Sequence, residues 1–430
     1  MKHVQALESE VRSYCRSWPT TFTTATGSTL HDADGRRYLD FFSGAGALNY
    51  GHNHPVLKEA LLAYLTADGV THSLDMVTEA KERFLARLEE RILAPRSLDY
   101  RVQFPGPTGT NSVEAALKLA RKVTGRERVV SFTNSFHGMT LGSLSVTGNS
   151  MKRGGAGVGL TAASSMPFDG FLGPDVDTVE LLRAFLDDGG SGLDQPGAVI
   201  LETVQAEGGI NVASGAWLRD LAGLCREFEI LLIVDDVQAG CGRTGPFFSF
   251  EDLGVHPDIV CLSKSLSGYG LPFAVTLLRP ELDVWEPGEH NGTFRGHNPA
   301  FVTAAAALDH FWADDALTRS VRQKGKRLEA VLDHLVEVYP ELEGEVRGRG
   351  LLLGIACGAP EVSAGVVAAA FERGLIVETS GAEGQVVKTM PPLVIADDEL
   401  EEGLRLLDAA LASALDVAPR ADGELLSTAR

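Results

Sequence analysis

Apolar and polar positions along this chain follow two alternating rhythms. Short unbroken apolar runs recur, each followed by a glycine-rich stretch, and segments with apolar residues three and four apart lie between them. The runs at 128–132, 198–202, 230–236 and 259–262 read as buried strands, and 101–105 as a shorter one. The helical spacing predicts helices over 55–65, 76–93, 113–122, 215–228, 300–312, 317–338, 362–373 and 398–415. Alternating strands and helices predict an α/β fold with a mostly parallel central sheet and helices on both faces. The turn sequence at 31–35 separates two strand-like runs and predicts a hairpin. Residues 148–166, rich in Gly, Ser and Ala, read as a long surface excursion. Residues 348–355 and 375–378 each read as one strand of a smaller α/β unit. The expected division is an N-terminal segment at 1–55 that joins the small domain, a large domain at 56–310, a small C-terminal domain at 311–416, and a disordered tail at 417–430.

Three consecutive buried runs end in ionisable residues: Glu202, Asp235 and Lys264. Each has a plain reading when taken alone. Lys264 could snorkel out as its strand exits, Asp235 could cap a turn, and Glu202 could hold a loop. In a parallel sheet, however, ligands sit beyond the carboxyl ends of the strands. Three such ends in succession, each followed by a glycine-rich loop, mark a site. A buried lysine loses protons more readily and becomes a usable nucleophile. Upstream, Thr108-Gly109-Thr110-Asn111 leads from a short strand into a helix. A helix N-terminus approached by small residues is a good phosphate seat, and the same sequence also suits a plain capped helix.

Composition narrows the classes of partner. The 430 residues carry 38 basic and 58 acidic side chains, so the net charge is 38 − 58 = −20. Nucleic acid and anionic membranes demand a basic surface and are disfavoured. Hydrophobic content of 44% and charged content of 22% are those of a soluble protein large enough for two domains. The 5 cysteines are scattered and form no CxxC pair, so neither a disulfide framework nor a zinc site is expected, and no metal is assigned. No apolar stretch approaches the roughly 18 residues of a membrane span, and the N-terminus lacks a signal-like apolar core. A cytoplasmic location is expected.

A phosphate seat, a buried aspartate and a buried lysine are what pyridoxal 5'-phosphate needs. The chain resembles the class III aminotransferases of fold type I up to about residue 415, through several motifs together. Asp235-Asp236-Val237-Gln238 and the Gly-rich stretch to Gly245 resemble the family's Asp-Glu-x-Gln segment, with Asp in place of Glu at 236. Lys264-Ser265-Leu266-Ser267-Gly268, Phe136-His137-Gly138 and Gly292-Thr293-Phe294 resemble three further family motifs. The resemblance implies that Lys264 is the Schiff-base lysine and Asp235 the partner of the pyridinium nitrogen. By the same resemblance Gly109 and Thr110 hold the phosphate, Phe136 stacks on the ring beside His137, and Gln238 meets the ring hydroxyl. Glu202 joins this cofactor-binding set. Thr293 would reach the phosphate of a neighbouring subunit, which implies a homodimer with interface sites.

Glu202-Thr203-Val204-Gln205-Ala206-Glu207 resembles a segment whose second glutamate is a gate. That glutamate, here Glu207, pairs with an arginine shortly before Pro-Pro-Leu. This chain has Lys388 at the arginine's position, before Pro391-Pro392-Leu393. Lysine cannot make arginine's planar two-pronged contact with a carboxylate. Within the class, residues 8–13, 41–52 and 292–296 resemble members that exchange the terminal amine of L-2,4-diaminobutyrate with 2-oxoglutarate. The resemblance implies L-aspartate 4-semialdehyde and L-glutamate as the partner pair, and a place in the synthesis of ectoine or of siderophores. Ornithine or 4-aminobutyrate aminotransferases, and a catalytically silent cofactor-binding relative, remain alternatives at this stage.

Overall fold

The computed structural model describes residues 2–419. Of the expected tail at 417–430, residues 420–430 lie outside the described residues. The N-terminal strands are β1 (Phe22–Thr26), β2 (Thr29–Asp32) and β3 (Arg37–Asp40). The central region holds β4 (Arg101–Gln103), β5 (Val129–Phe132), β6 (Ala163–Met166), β7 (Ala198–Leu201), β8 (Val204–Gln205), β9 (Asn211–Val212), β10 (Leu231–Asp235), β11 (Ile259–Leu262) and β12 (Val275–Leu278). The C-terminal part holds β13 (Glu345–Arg349), β14 (Leu352–Ala356), β15 (Leu375–Ile376), β16 (Glu378–Ser380) and β17 (Val386–Thr389).

The central sheet has 7 strands in the order β4-β12-β11-β10-β7-β5-β6. It is parallel except for β12, which runs antiparallel to both β11 and β4. The apolar runs become strands here because helices cover both faces, so every residue of β5, β7, β11 and β12 is buried. On one face the helix Gly109–Thr124 presses Val113, Leu117 and Ala120 against Ile200, Ile233 and Ile259. On the other, Val199, Leu201, Val234 and Val260 join the main core, with Trp217 and Leu221 of the helix Gly215–Glu227.

Several boundaries differ from the expectation. The excursion at 148–166 contains the short helix Ser150–Gly154 and then β6, which pairs in parallel with β5 and closes that edge of the sheet. The polar sequence of β6 hid it, because an edge strand needs only one covered side. Residues 348–355 are not one strand. Gly350, at φ +66°, turns the chain between β13 and β14, which pair antiparallel. Residues 375–378 divide between two sheets: β15 runs parallel to β3, and β16 pairs with β17. The helix expected over 76–93 starts at Glu79, with the Thr78 hydroxyl accepting from the Lys81 N–H. Its last turns widen and then tighten before Pro95 breaks the ladder. Val417 is half-buried against the core, its N–H donating to the Ala412 carbonyl at 3.0 Å.

Through β15 and β3, the N-terminal strands and the C-terminal part of the chain share one sheet. No described helix is long and apolar enough to cross a membrane.

Candidate active site

Strands β7, β10 and β11 lie side by side, so their carboxyl ends open onto one place. Glu202 follows β7, Asp235 is the last residue of β10, and Lys264 lies two positions beyond β11. Lys264 sits at φ +49°, in the left-handed region that a non-glycine residue enters only at a cost. A cavity of about 160 Å³ sits over these strand ends. Every residue singled out in the sequence lines it except Thr293 and Lys388.

The floor is electrostatic. Asp235 Oδ2 lies 2.8 Å from His137 Nδ1, and its Oδ1 accepts the Val237 N–H at 3.2 Å. His137 is buried and has its own N–H on the Thr147 hydroxyl at 3.0 Å, so both ends of the pair are fixed. Glu202 accepts the Phe136 N–H at 2.9 Å. Burial, reinforced by the nearby Asp235, raises the Glu202 carboxyl well above its ordinary range. Burial likewise lowers the Lys264 ammonium, which moves its amine toward the neutral, nucleophilic form. Beneath the floor, burial pushes the Asp236 carboxyl up to about 7 while its Oδ2 accepts the Ser249 N–H at 3.0 Å.

At one end of the cavity the helix Gly109–Thr124 begins. Asn111 Oδ1 accepts from the Thr108 N–H at 3.2 Å and the Thr108 hydroxyl at 2.8 Å, which locks the turn. This leaves Gly109 and Thr110 facing the cavity at the positive end of the helix. A Cβ on Gly109 would stand 2.9 Å from Val237 Cγ1, so only glycine lets the helix start come this close. The Gln238 amide donates to the Ala45 carbonyl at 2.8 Å, while its Oε1 is buried with no hydrogen-bond partner among the described residues. An orphaned acceptor, a carboxylate, a neutral-leaning lysine amine and a helix N-terminus fit the donors, acceptors and aldehyde of pyridoxal phosphate.

The aminotransferase class-III family model matches residues 13–411. The chain belongs to this family. A diaminobutyrate–2-oxoglutarate transaminase of Nocardia farcinica is 61% identical over 407 residues, covering 95% of this chain and 93% of that protein. One from Halalkalibacterium halodurans is 58% identical over 411 residues, covering 96% of both. Among solved structures, the ornithine aminotransferase of Toxoplasma gondii superposes with a TM-score of 0.82 at 26% identity, covering 96% of this chain and 94% of that one. An S-selective transaminase from Arthrobacter sp. shares the fold, with a TM-score of 0.85 at 22% identity over 95% of this chain and 96% of that one.

Lys388, the residue that departs from the class III pattern, lies behind the cavity wall and is fully buried on β17. Its Nζ is 2.8 Å from Glu207 Oε1 and also 2.8 Å from Glu378 Oε1. Burial would depress the ammonium, but the two carboxylates together lift it above its ordinary value. Burial would likewise raise Glu207, yet Lys388 and then Lys264 draw it down to about 2. For Glu378 burial prevails over Lys388, and its carboxyl is raised. Sequence reasoning missed Glu378. It stands opposite Lys388 in the β16–β17 register, and a short strand sequence carries no sign of that pairing. Thr293 lies apart from the cavity of its own chain, exposed at the start of the turn Thr293–Gly296.

Proposed function

We propose that this chain exchanges the terminal amino group of L-2,4-diaminobutyrate with 2-oxoglutarate, giving L-aspartate 4-semialdehyde and L-glutamate. The observation that carries the proposal is near-full-length identity of 61% and 58% to two diaminobutyrate–2-oxoglutarate transaminases. The two half-reactions share one site and alternate in it, in the ping-pong manner.

The enzyme uses pyridoxal 5'-phosphate, whose ring when bound withdraws electrons from the carbon that carries the amine. Lys264 would hold it covalently. With the group bound, Lys264 Nζ would also move the proton to and from the substrate carbon. The depressed Lys264 pKa supports that second task, because the amine must be free to accept. Asp235 would keep the ring nitrogen protonated. His137, 2.8 Å away, orients the Asp235 carboxylate. Gly109 and Thr110 would donate backbone N–H groups to the phosphate. Phe136 would cover one ring face, Gln238 would offer its Oε1 to the ring hydroxyl, and Glu202 would hold the loop that carries Phe136. Glu207 pairs with Lys388 while diaminobutyrate is bound and turns aside for the second carboxylate of glutamate or 2-oxoglutarate.

The functional unit of this reading is a homodimer in the cytoplasm, with Thr293 of each protomer completing the other's phosphate site. Support comes from the surface around Thr293. Phe294 is exposed and packs edge-on to His72, and Met76 and Val77 close by in sequence are exposed as well. Apolar side chains grouped on a surface mark an interaction face. The domain division is that of the sequence reading, with residues 1–55 assigned to the small domain through β3 and β15. The net charge of −20 agrees with a role in making a compatible solute such as ectoine.

An amine-donor panel with 2-oxoglutarate tests the assignment. Diaminobutyrate should exceed ornithine, 4-aminobutyrate and lysine in kcat/KM. Equal use of these donors would overturn the substrate and leave the class intact. Lys264→Ala should abolish both turnover and the visible absorbance of the covalently held cofactor.

A further inference from the structure

A second cavity, of about 490 Å³, adjoins the first, and Phe136 and Glu207 line both. Lys152 stands in its wall. The side-chain amide of Asn149 starts the helix Ser150–Gly154 by accepting the Lys152 N–H at 3.0 Å. From there the Lys152 ammonium reaches over the Phe136 ring, 4.2 Å from its centroid. It lies near enough to Glu207 to help lower that carboxyl. Among the described residues Lys152 forms no ion pair, and it is only half-buried.

Of the described lysines and arginines, Lys152 and Lys264 are those that line the two cavities. Lys264 is committed to the cofactor. Lys388 lines neither cavity and is already shared by Glu207 and Glu378. Yet both substrates of the proposed reaction carry a carboxylate away from the reacting carbon. In diaminobutyrate, two carbons separate the reacting terminal carbon from the carboxylate. In glutamate, two carbons again separate the reacting carbon from the distal carboxylate. One cation at one distance from the reacting centre can therefore serve both half-reactions.

We infer that Lys152 is that cation, a specificity-determining residue that anchors the distal carboxylate of each substrate at the cavity mouth. The inference rests on the reaction proposed above. A lysine suits the task because its flexible stem and point charge follow a carboxylate through small changes of pose. The Phe136 ring under the ammonium restrains it without neutralising it, since a ring face attracts a cation and carries no charge. When glutamate binds, Lys152 takes the distal carboxylate and leaves the α-carboxylate to the region vacated by Glu207.

The holoenzyme and its Lys152→Met and Lys152→Arg variants test this. Lys152→Met should raise KM for diaminobutyrate and for 2-oxoglutarate about tenfold or more, with kcat little changed, because a charged hydrogen bond common to ground and transition states is lost. KM for 1,3-diaminopropane, which is diaminobutyrate without its carboxylate, should not move. Lys152→Arg should recover most of the difference. In calorimetry, glutarate binding should weaken by a similar factor in Lys152→Met. Unchanged KM and glutarate affinity would overturn the assignment, and so would an equal rise for 1,3-diaminopropane. A wild-type enzyme inert toward diaminobutyrate would instead overturn the proposed reaction, and glutarate binding would still decide the role of Lys152.

Discussion

Lys388 concentrates the electrostatics of this molecule in a single side chain. It is fully buried and touches two carboxylates, so replacing it strands both. Lys388→Met should cost about 3–5 kcal/mol, the range for breaking a buried pair, read from urea unfolding. The pH dependence follows from the shifts. Glu207 is depressed to about 2 from 4.5, so its contribution is fully present above the unfolded value and is lost as pH falls through the window between them. Glu378 is raised and works in the opposite sense, favouring the fold below its unfolded value and less as pH rises. Wild type should therefore lose stability between about pH 4.5 and 2 more steeply than Glu207→Gln does. Asp235→Asn should fold normally but lose about 100-fold or more in kcat, the scale for removing a preorganised electrostatic contact. The oddity of Lys388 before Pro391-Pro392 was legible from the class III resemblance, which implies an arginine at that position. Glu378 was not, because cross-strand partners follow from register.

At the scale of elements, the site depends on one loop meeting one helix start. Gly138 has φ +128°, and a Cβ there would stand 2.4 Å from Thr110 Oγ1. Gly138→Ala should push Thr110 away from the phosphate seat and weaken cofactor affinity by about tenfold or more, measured by equilibrium titration of the apoenzyme. The buried strands and the helix after Gly109 were readable from their apolar runs and caps. Strand β6 was not, since its Ser-rich sequence is only partly buried at an edge and lacks the apolar signal. Nor was the split of 348–355 into two strands, because the apolar run from Leu351 drew Gly348-Arg349-Gly350 into one strand and masked the turn that Gly350 permits.

For the whole molecule, the decisive question is whether each site draws on two chains. If each site draws on two chains, Lys264→Ala and Thr293→Ala damage different elements of it, and in a mixed dimer the two changes fall together on one site. The other site then has Lys264 from one protomer and Thr293 from its partner. Unfolding and refolding the two variants together should restore one wild-type site per mixed dimer, seen as recovered turnover at limiting cofactor. Refolding that merely averages the two parents would show that each site is self-contained.

The sequence by itself determined the α/β class, the three ionisable strand ends and the glycine turn before the helix. These are local signals, carried by apolar periodicity, caps and charges at improbable positions. Tertiary structure alone decided that the three strand ends are neighbours and that His137 faces Asp235. It also decided that Lys388 is shared by two carboxylates and that Lys152 stands unpaired over Phe136. Each of these contacts joins residues brought together by sheet order, strand register or loop packing. Such contacts depend on the folded backbone: even Lys388 and Glu378, near each other in sequence, meet only because the β16–β17 register places them opposite.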